Sequence, residues 1–169
     1  MMRLATTSPV LKASQPMIDK KYIGTKLTPF SIVVEKQQLQ SFARATGQSD
    51  PVYLDENAAR AAGHRSLPVP PTYLFCLEMG SPNPQEIYEL LGIDYARVLH
   101  GEQHFVYHHP VFAGAALSFA PVIADLYAKK DGALEFVVWK TRVEAEEGLH
   151  VADLKTVMVV RHEQAARPS

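Results

Sequence analysis

The sequence predicts an α+β domain, with helices laid on one face of an antiparallel sheet. Three observations predict it. Between residues 35 and 91 apolar residues recur at helical spacing, from His100 to Arg161 they alternate as strands do, and the two regimes do not interleave. Helices followed by strands, rather than alternating with them, is the pattern of a segregated α+β fold. At 169 residues, with no repeat and no dividing linker, the chain fits one domain.

The elements follow in order. Residues 17–24 read as a short helical turn closed by Gly24, and the β-branched run after Pro29 predicts a strand over 27–34. From Glu35 to Thr46 the period becomes helical, with Leu39, Phe42, Ala43 and Thr46 on one face. Gly47 supplies the left-handed residue that ends this helix, and Pro51 prevents its resumption. Asp55 caps a short alanine-rich helix over 55–62. Pro68, Pro70 and Pro71 force an extended lead-in over 64–71. A helix over 71–79 follows, apolar almost all round and so expected to be buried on most sides. An amphipathic helix runs over 84–91 and stops at Gly92, and 94–99 is ambiguous between helix and strand.

Four strands complete the chain. The first spans 101–108, with Gln103, Phe105 and Tyr107 on one face and His104, Val106 and His108 on the other. The next, 117–128, contains Pro121, which implies an edge or a bulge. Lys130-Asp131-Gly132 turns the chain into a strand over 134–143, and Glu146-Glu147-Gly148 turns it into the last, 150–161. Trp139 and the valines of the last strand are expected to cover the broad sheet face that one helix leaves open.

Composition excludes several classes. Seventeen basic and 18 acidic residues give a formal net charge of −1, so no basic field exists for general nucleic-acid binding. Cys76 is the single cysteine, so no intrachain disulfide forms, and it reads as a buried free thiol in a helix. No run of 18 apolar residues occurs, and residues 1–16 lack the apolar core of a secretory signal. The expectation is a cytoplasmic protein without membrane contact: a flexible stretch 1–16, a domain 17–161 and a flexible tail 162–169.

The densest chemistry lies after the first long helix. Gln48, Ser49, Asp50 and Tyr53 fall within six residues of one turn. Loops held by a scaffold are where binding and catalysis concentrate, although Asp and Pro also build ordinary turns. The start of the 71–79 helix is the second candidate. Thr72 and Tyr73 carry the first backbone N–H groups after two prolines and would face a cleft. His104 and His108 are about 13 Å apart at strand rise, too far for a shared metal, so none is expected.

Three stretches carry a more specific resemblance: Ala45-Thr46-Gly47-Gln48-Ser49-Asp50-Pro51-Val52-Tyr53, then Ala58–Gly63 with Pro68-Val69-Pro70-Pro71-Thr72, then Leu99-His100-Gly101-Glu102-Gln103-His104-Phe105. Together they resemble the MaoC-like hydratase/dehydratases, closest to the fatty-acid-synthase-type dehydratase domains that include (3R)-hydroxyacyl-carrier-protein dehydratase subunits. The resemblance implies a hot-dog fold, a curved antiparallel sheet wrapped around a central buried helix. It implies hydration of an enoyl thioester or dehydration of a 3-hydroxyacyl thioester, on CoA or a phosphopantetheine carrier, with no other cofactor. The family motif reads Gly-Asp-x-Asn-Pro-hydrophobic-His. Here Gly47, Val52 and Pro51 match, while Gln48 stands at the Asp position, Asp50 at the Asn position and Tyr53 at the His position. A glutamine amide takes no proton near neutral pH, and a tyrosine is a donor rather than a base.

Two readings follow. In one, Gln48, Asp50 and Tyr53 are catalytic, and Thr72, Tyr73 and His100 bind substrate, with Thr72 N–H polarising the thioester. In the other, the chain is a non-catalytic acyl-binding subunit paired with a catalytic hot-dog partner. Both expect a dimer, either with a second copy or with that partner.

Overall fold

A computed structural model describes residues 17–162; the expectations for 1–16 and 163–169 lie outside the described residues. Five strands form one antiparallel sheet: β1 (Phe30–Val33), β2 (Val98–Tyr107), β3 (Ala116–Lys129), β4 (Leu134–Glu144) and β5 (His150–Arg161), in spatial order β1-β3-β4-β5-β2. Between β1 and β2 the chain forms α1 (Lys36–Ala45), α2 (Glu56–Ala61), α3 (Tyr73–Met79) and α4 (Glu86–Leu91). The α+β expectation holds, with helices and strands segregated along the chain.

The helix α3 lies against the sheet. Leu74 and Leu77 are buried in one cluster with Leu117 and Phe119 of β3, Val143 of β4 and Leu154 of β5. Truncating either leucine to alanine would cost about 2–5 kcal/mol. Leu39 of α1 and Ala59 of α2 join the same cluster, so α1 and α2 pack on the central helix region rather than apart from it. A second cluster gathers Ile87 and Leu91 of α4 over Ile123, Val137, Trp139 and Met158.

Three expectations need correction. Cys76 is exposed, not buried. It sits three residues before Met79, which is also exposed, on the α3 stripe turned from the sheet, so this helix is buried on one side only. Trp139 does not cover an outer face. It is 8 % exposed beneath α3 and α4, on the inward side of β4 with Glu135, Val137, Thr141 and Val143. On the opposite side of β4, Val138 pairs with Val157 of β5 and both are buried. Finally, His162, placed at the head of the flexible tail, is tied down. Its N–H bonds to Ala133 O at 2.9 Å and its Nε2 lies 2.5 Å from the buried Glu135 carboxylate.

Pro121 behaves as expected of a strand proline. It pairs with Thr141 of β4, while its carbonyl, and hence its missing N–H, faces the segment beyond β1, where Leu27 N donates to Pro121 O at 3.0 Å. A bulge follows between Ile123 and Asp125. The ambiguous 94–99 stretch resolves into a 3-10 turn, Tyr95–Arg97, capped by Asp94, after which β2 starts at Val98. The strand β2 is an edge. A bulge between His100 and Glu102 centres on Gly101, where an added Cβ would come within 3.0 Å of Val157 O and of the Val159 side chain.

Candidate functional site

The turn after α1 is built by its own side chains. Gly47 takes φ 72°, and Gln48 N returns to Ala43 O at 2.8 Å. Gln48 Oε1 then accepts from Asp50 N at 3.0 Å, and Asp50 Oδ1 accepts from Val52 N at 3.0 Å, capping the 3-10 turn Pro51–Tyr53. Asp55 repeats the device at α2, accepting from Ala58 N at 2.8 Å. Gln48 and Asp50 therefore hold the turn's backbone in shape. Both are exposed, and none of their described hydrogen bonds reaches Thr72, Tyr73 or His100.

The start of α3 is more occupied than the sequence suggests. Tyr73 N–H, expected to be a free donor, bonds to Pro70 O at 2.9 Å. Its ring is buried against Phe42 of α1, centroids 5.0 Å apart, and its hydroxyl donates to Gln38 Oε1 at 3.0 Å. Thr72 is the N-cap residue, without a side-chain cap. The fold brings His100 to this helix: its ring meets Phe75 edge-on, centroids 5.0 Å apart. Thus Thr72, Tyr73 and His100 surround one end of α3, and the Gln48–Tyr53 turn stands on α1, which Phe42 packs against that end.

Sequence reasoning missed a buried polar network below α3. Glu78 is 4 % exposed and faces the sheet. Its Oε1 accepts from Trp139 Nε1 at 3.4 Å and, in a shorter contact, from the Thr141 hydroxyl. Its Oε2 lies 3.4 Å from the Thr156 hydroxyl, which is itself 2.8 Å from Gln103 Oε1. Burial pushes the Glu78 carboxyl above the usual carboxylate range, and the three donors offset this only in part. Gln103 Nε2 is buried without a hydrogen-bond partner among the described residues. Thr156 has one proton to give. If it goes to Gln103, the protonated Glu78 can donate to Thr156; if the amide turns over, Thr156 is free to serve an ionised Glu78. The visible signal was a lone acid in an otherwise apolar helix, Pro71–Met79.

A second cluster crosses two strands. His108 follows β2, and its Nε2 is 2.8 Å from Asp153 Oδ2 of β5. The other oxygen, Asp153 Oδ1, is 3.0 Å from His150 Nε2. These three ligand-bearing groups approach within 4.8 Å of one another, so His108 is grouped with Asp153 and His150 rather than with His104. Arg142 Nη1 stands 3.0 Å from His150 Nδ1, a cation where a metal would need to be neighbourly. Burial works against the Asp153 carboxylate, but the two histidines outweigh it and hold the group below the usual range.

Residues 21–154 match the model of the FAS1-like dehydratase domain region. The chain belongs to that family. The FAS1-like dehydratase region covers every element from β1 to β4 and the start of β5, including the turn, α3 and Glu78. Among its relatives, a UPF0336 protein of Streptomyces avermitilis is 32% identical over 145 residues, 85% of this chain and 95% of its own. A UPF0336 protein of Clavibacter michiganensis is 35% identical over 133 residues, 79% and 88%. Among solved structures, the HadBC (3R)-hydroxyacyl-ACP dehydratase complex of Mycobacterium tuberculosis superposes with a TM-score of 0.72 at 23% identity, over 82% of this chain and 96% of that one. The ChsH1–ChsH2 complex of the same organism gives 0.65 at 19%, over 82% and 90%. The (R)-hydratase of A. caviae involved in PHA biosynthesis gives 0.62 at 18%, over 80% and 94%. At these identities the likeness is one of fold, and the fold is the hot dog. Among the described residues no helix is long and apolar enough to cross a membrane.

Proposed function

We propose that this FAS1-like dehydratase chain is one subunit of a two-chain acyl-thioester hydratase/dehydratase, and that a partner hot-dog chain supplies the catalytic Asp and His. The observation that carries this is the turn. The side chains at the two positions nearest a catalytic carboxylate, Gln48 and Asp50, are spent on Asp50 N and Val52 N. A general base must reach the substrate proton, and a carboxylate engaged in capping its own turn is poorly disposed to do so. Two of the similar structures are named as complexes, HadBC and ChsH1–ChsH2, which supports a paired hot dog. The open edge strand β2 is the natural seam, because its outer row of backbone groups is unpaired among the described residues. The reading requires no cofactor beyond the thioester carrier on the substrate, and it assigns the protein to the cytoplasm with such carriers.

Hydration of crotonyl-CoA by the chain alone, and by the chain with a hot-dog partner bearing the intact Gly-Asp-x-Asn-Pro-hydrophobic-His motif, tests it. We expect no turnover alone, turnover in the pair, and no effect of Asp50→Asn on the paired rate beyond about twofold. Turnover by the isolated chain that Asp50→Asn abolishes would overturn this reading in favour of a self-sufficient hydratase acting through Asp50 or a water held by Gln48 and Tyr53.

A further inference from the structure

Trp139, Thr156 and Gln103 stand in one cross-strand row. Trp139 of β4 is the register partner of Thr156 of β5, and Thr156 is the register partner of Gln103 of β2. Register partners turn their side chains to the same face of a sheet. Glu78 of α3 meets this row: its Oε1 receives the Trp139 indole at 3.4 Å, and its Oε2 lies 3.4 Å from the Thr156 hydroxyl. That hydroxyl lies 2.8 Å from Gln103 Oε1. The contacts therefore run without a break from a buried acid to the strand at the open edge of the sheet.

Counting protons gives the row two states. With Gln103 Oε1 turned to Thr156, the hydroxyl donates to the amide oxygen and presents only lone pairs to Glu78, so Oε2 carries the proton between them. Gln103 Nε2 is then buried without a partner among the described residues. Once Glu78 ionises, its carboxylate takes the Thr156 proton. Two oxygens, of Thr156 and Gln103, are left facing each other at 2.8 Å with no hydrogen between them. Turning the amide over replaces that repulsion with an Nε2–H donated to Thr156, and the chain of hydrogen bonds closes again in the reverse direction.

The groups around Glu78 leave this choice to the row. From β4 and β5 it meets Trp139, Thr141 and Thr156, all neutral. From β1 and β3, Phe30 and Pro121 line the same cleft. From β2, His100 is engaged edge-on with Phe75. From α4, Glu86 shares the cleft, and Thr28 holds its carboxylate through its N–H and hydroxyl. No cation is among these neighbours, so burial keeps the proton on Glu78 to higher pH than an ordinary carboxyl would.

We propose that Glu78, Thr156 and Gln103 form a proton-operated latch, in which loss of the Glu78 proton reverses the hydrogen-bond chain and turns over the Gln103 amide on the edge strand β2. The latch stands whether or not the chain is a hydratase subunit, since it uses none of the turn residues.

Trp139 is the only tryptophan of the chain and donates to Glu78, so its emission follows this proton. The full chain is titrated from about pH 4 to about pH 9, with Trp139 emission and the side-chain amide signals of Gln103 in ¹⁵N NMR as the two readouts. We expect one transition in emission, absent from Glu78→Gln, and Gln103 signals that move with the same midpoint. Gln103→Met removes the acceptor of the Thr156 proton, frees it for the carboxylate, and should lower the emission midpoint by at least about 0.5 pH unit. Thr156→Val cuts the chain, and in that background Gln103→Met should no longer move the midpoint. The latch is overturned if the Gln103 amide signals of the unmodified chain do not follow the transition, a readout that needs no variant to fold. It is overturned equally if Glu78→Gln keeps the transition, if Gln103→Met leaves the midpoint unchanged or raises it, or if that shift survives in Thr156→Val.

Discussion

Glu78 is the residue whose protonation the fold most strongly biases. Its carboxyl titrates above its ordinary value because burial penalises the charge, so the folded chain holds this proton at pH values where the unfolded chain has lost it. Stability from this group is therefore full below the ordinary glutamate pKa and is lost as pH rises through the folded one. Glu78→Gln removes the titration, so wild type should lose stability relative to the variant as pH is raised from about 4 to about 8, with a limiting slope of about 1.4 kcal/mol per pH unit for one proton. Paired thermal melts across that range check it, and a pH-independent difference would contradict it. Replacing Glu78 with Leu should be worse than Gln at every pH. It leaves the Thr141 hydroxyl and the Trp139 indole without their acceptor, at about 1–3 kcal/mol for each buried group stranded, while Thr156 keeps Gln103 Oε1 at 2.8 Å. The sequence shows only the acid of this network, alone in an apolar helix, and none of its pairings. The acid stands at position 78 and its partners at 139, 141 and 156, and no local pattern joins positions 60 to 80 residues apart. The Gln48–Tyr53 turn is legible for the opposite reason: its hydrogen bonds close within five residues, so Gly47, Asp50 and Pro51 announce them.

Among the elements, β2 shows what periodicity can and cannot tell. Alternation assigns Gln103 and Phe105 to one face correctly, and both are half-buried while His104 and Val106 are exposed. It cannot reveal the bulge at Gly101, because a bulge is a relation between strands. The register slips there, so that His100 opposes Met158 and Glu102 opposes Val157. Gly101→Ala would drive its Cβ to within 3.0 Å of Val157 O, which is backbone and cannot yield cheaply. We expect a loss of about 1–3 kcal/mol in chemical denaturation, together with displacement of His100 from Phe75. Wild-type stability would mean that the bulge relaxes. On β4, alternation finds the two faces but not which one α3 and α4 cover. Periodicity alone thus leaves Trp139 on the outside, when its indole is the donor that Glu78 receives.

At the scale of the molecule, one end of the sheet is finished and the other is not. The four-residue β1 closes one edge, and β2, ten residues long, leaves the other open with Val106 55 % exposed and Leu99 47 % exposed. An open edge of that length invites a second chain. Light scattering at micromolar concentration should give a mass well above the 18.7 kDa of one chain when the partner is present, and Val106→Lys, which places a charge on the seam, should return the components to monomers. A monomer under all conditions would leave β2 as a true edge and remove the two-chain reading. The segregation into helices then strands is readable from the sequence because it is a matter of period. Which edge is free depends on β5 inserting between β4 and β2, a crossing that only the pairing of distant strands records.

Glu135 draws residues 18 and 162 together. One oxygen takes Ile18 N at 2.7 Å and the other meets His162 Nε2 at 2.5 Å, so the Ile18 amide and the His162 ring tip lie within a carboxylate's span of each other, on the order of 7 Å. The domain is thus nearly a closed ring of chain. A linker of a few glycines and serines joining residue 162 to residue 17 should be tolerated, with new ends opened at the left-handed Lys130–Asp131 hairpin. Such a permutant is expected to melt within a few degrees of the parent while Glu135 is intact, and to lose that tolerance with Glu135→Ala.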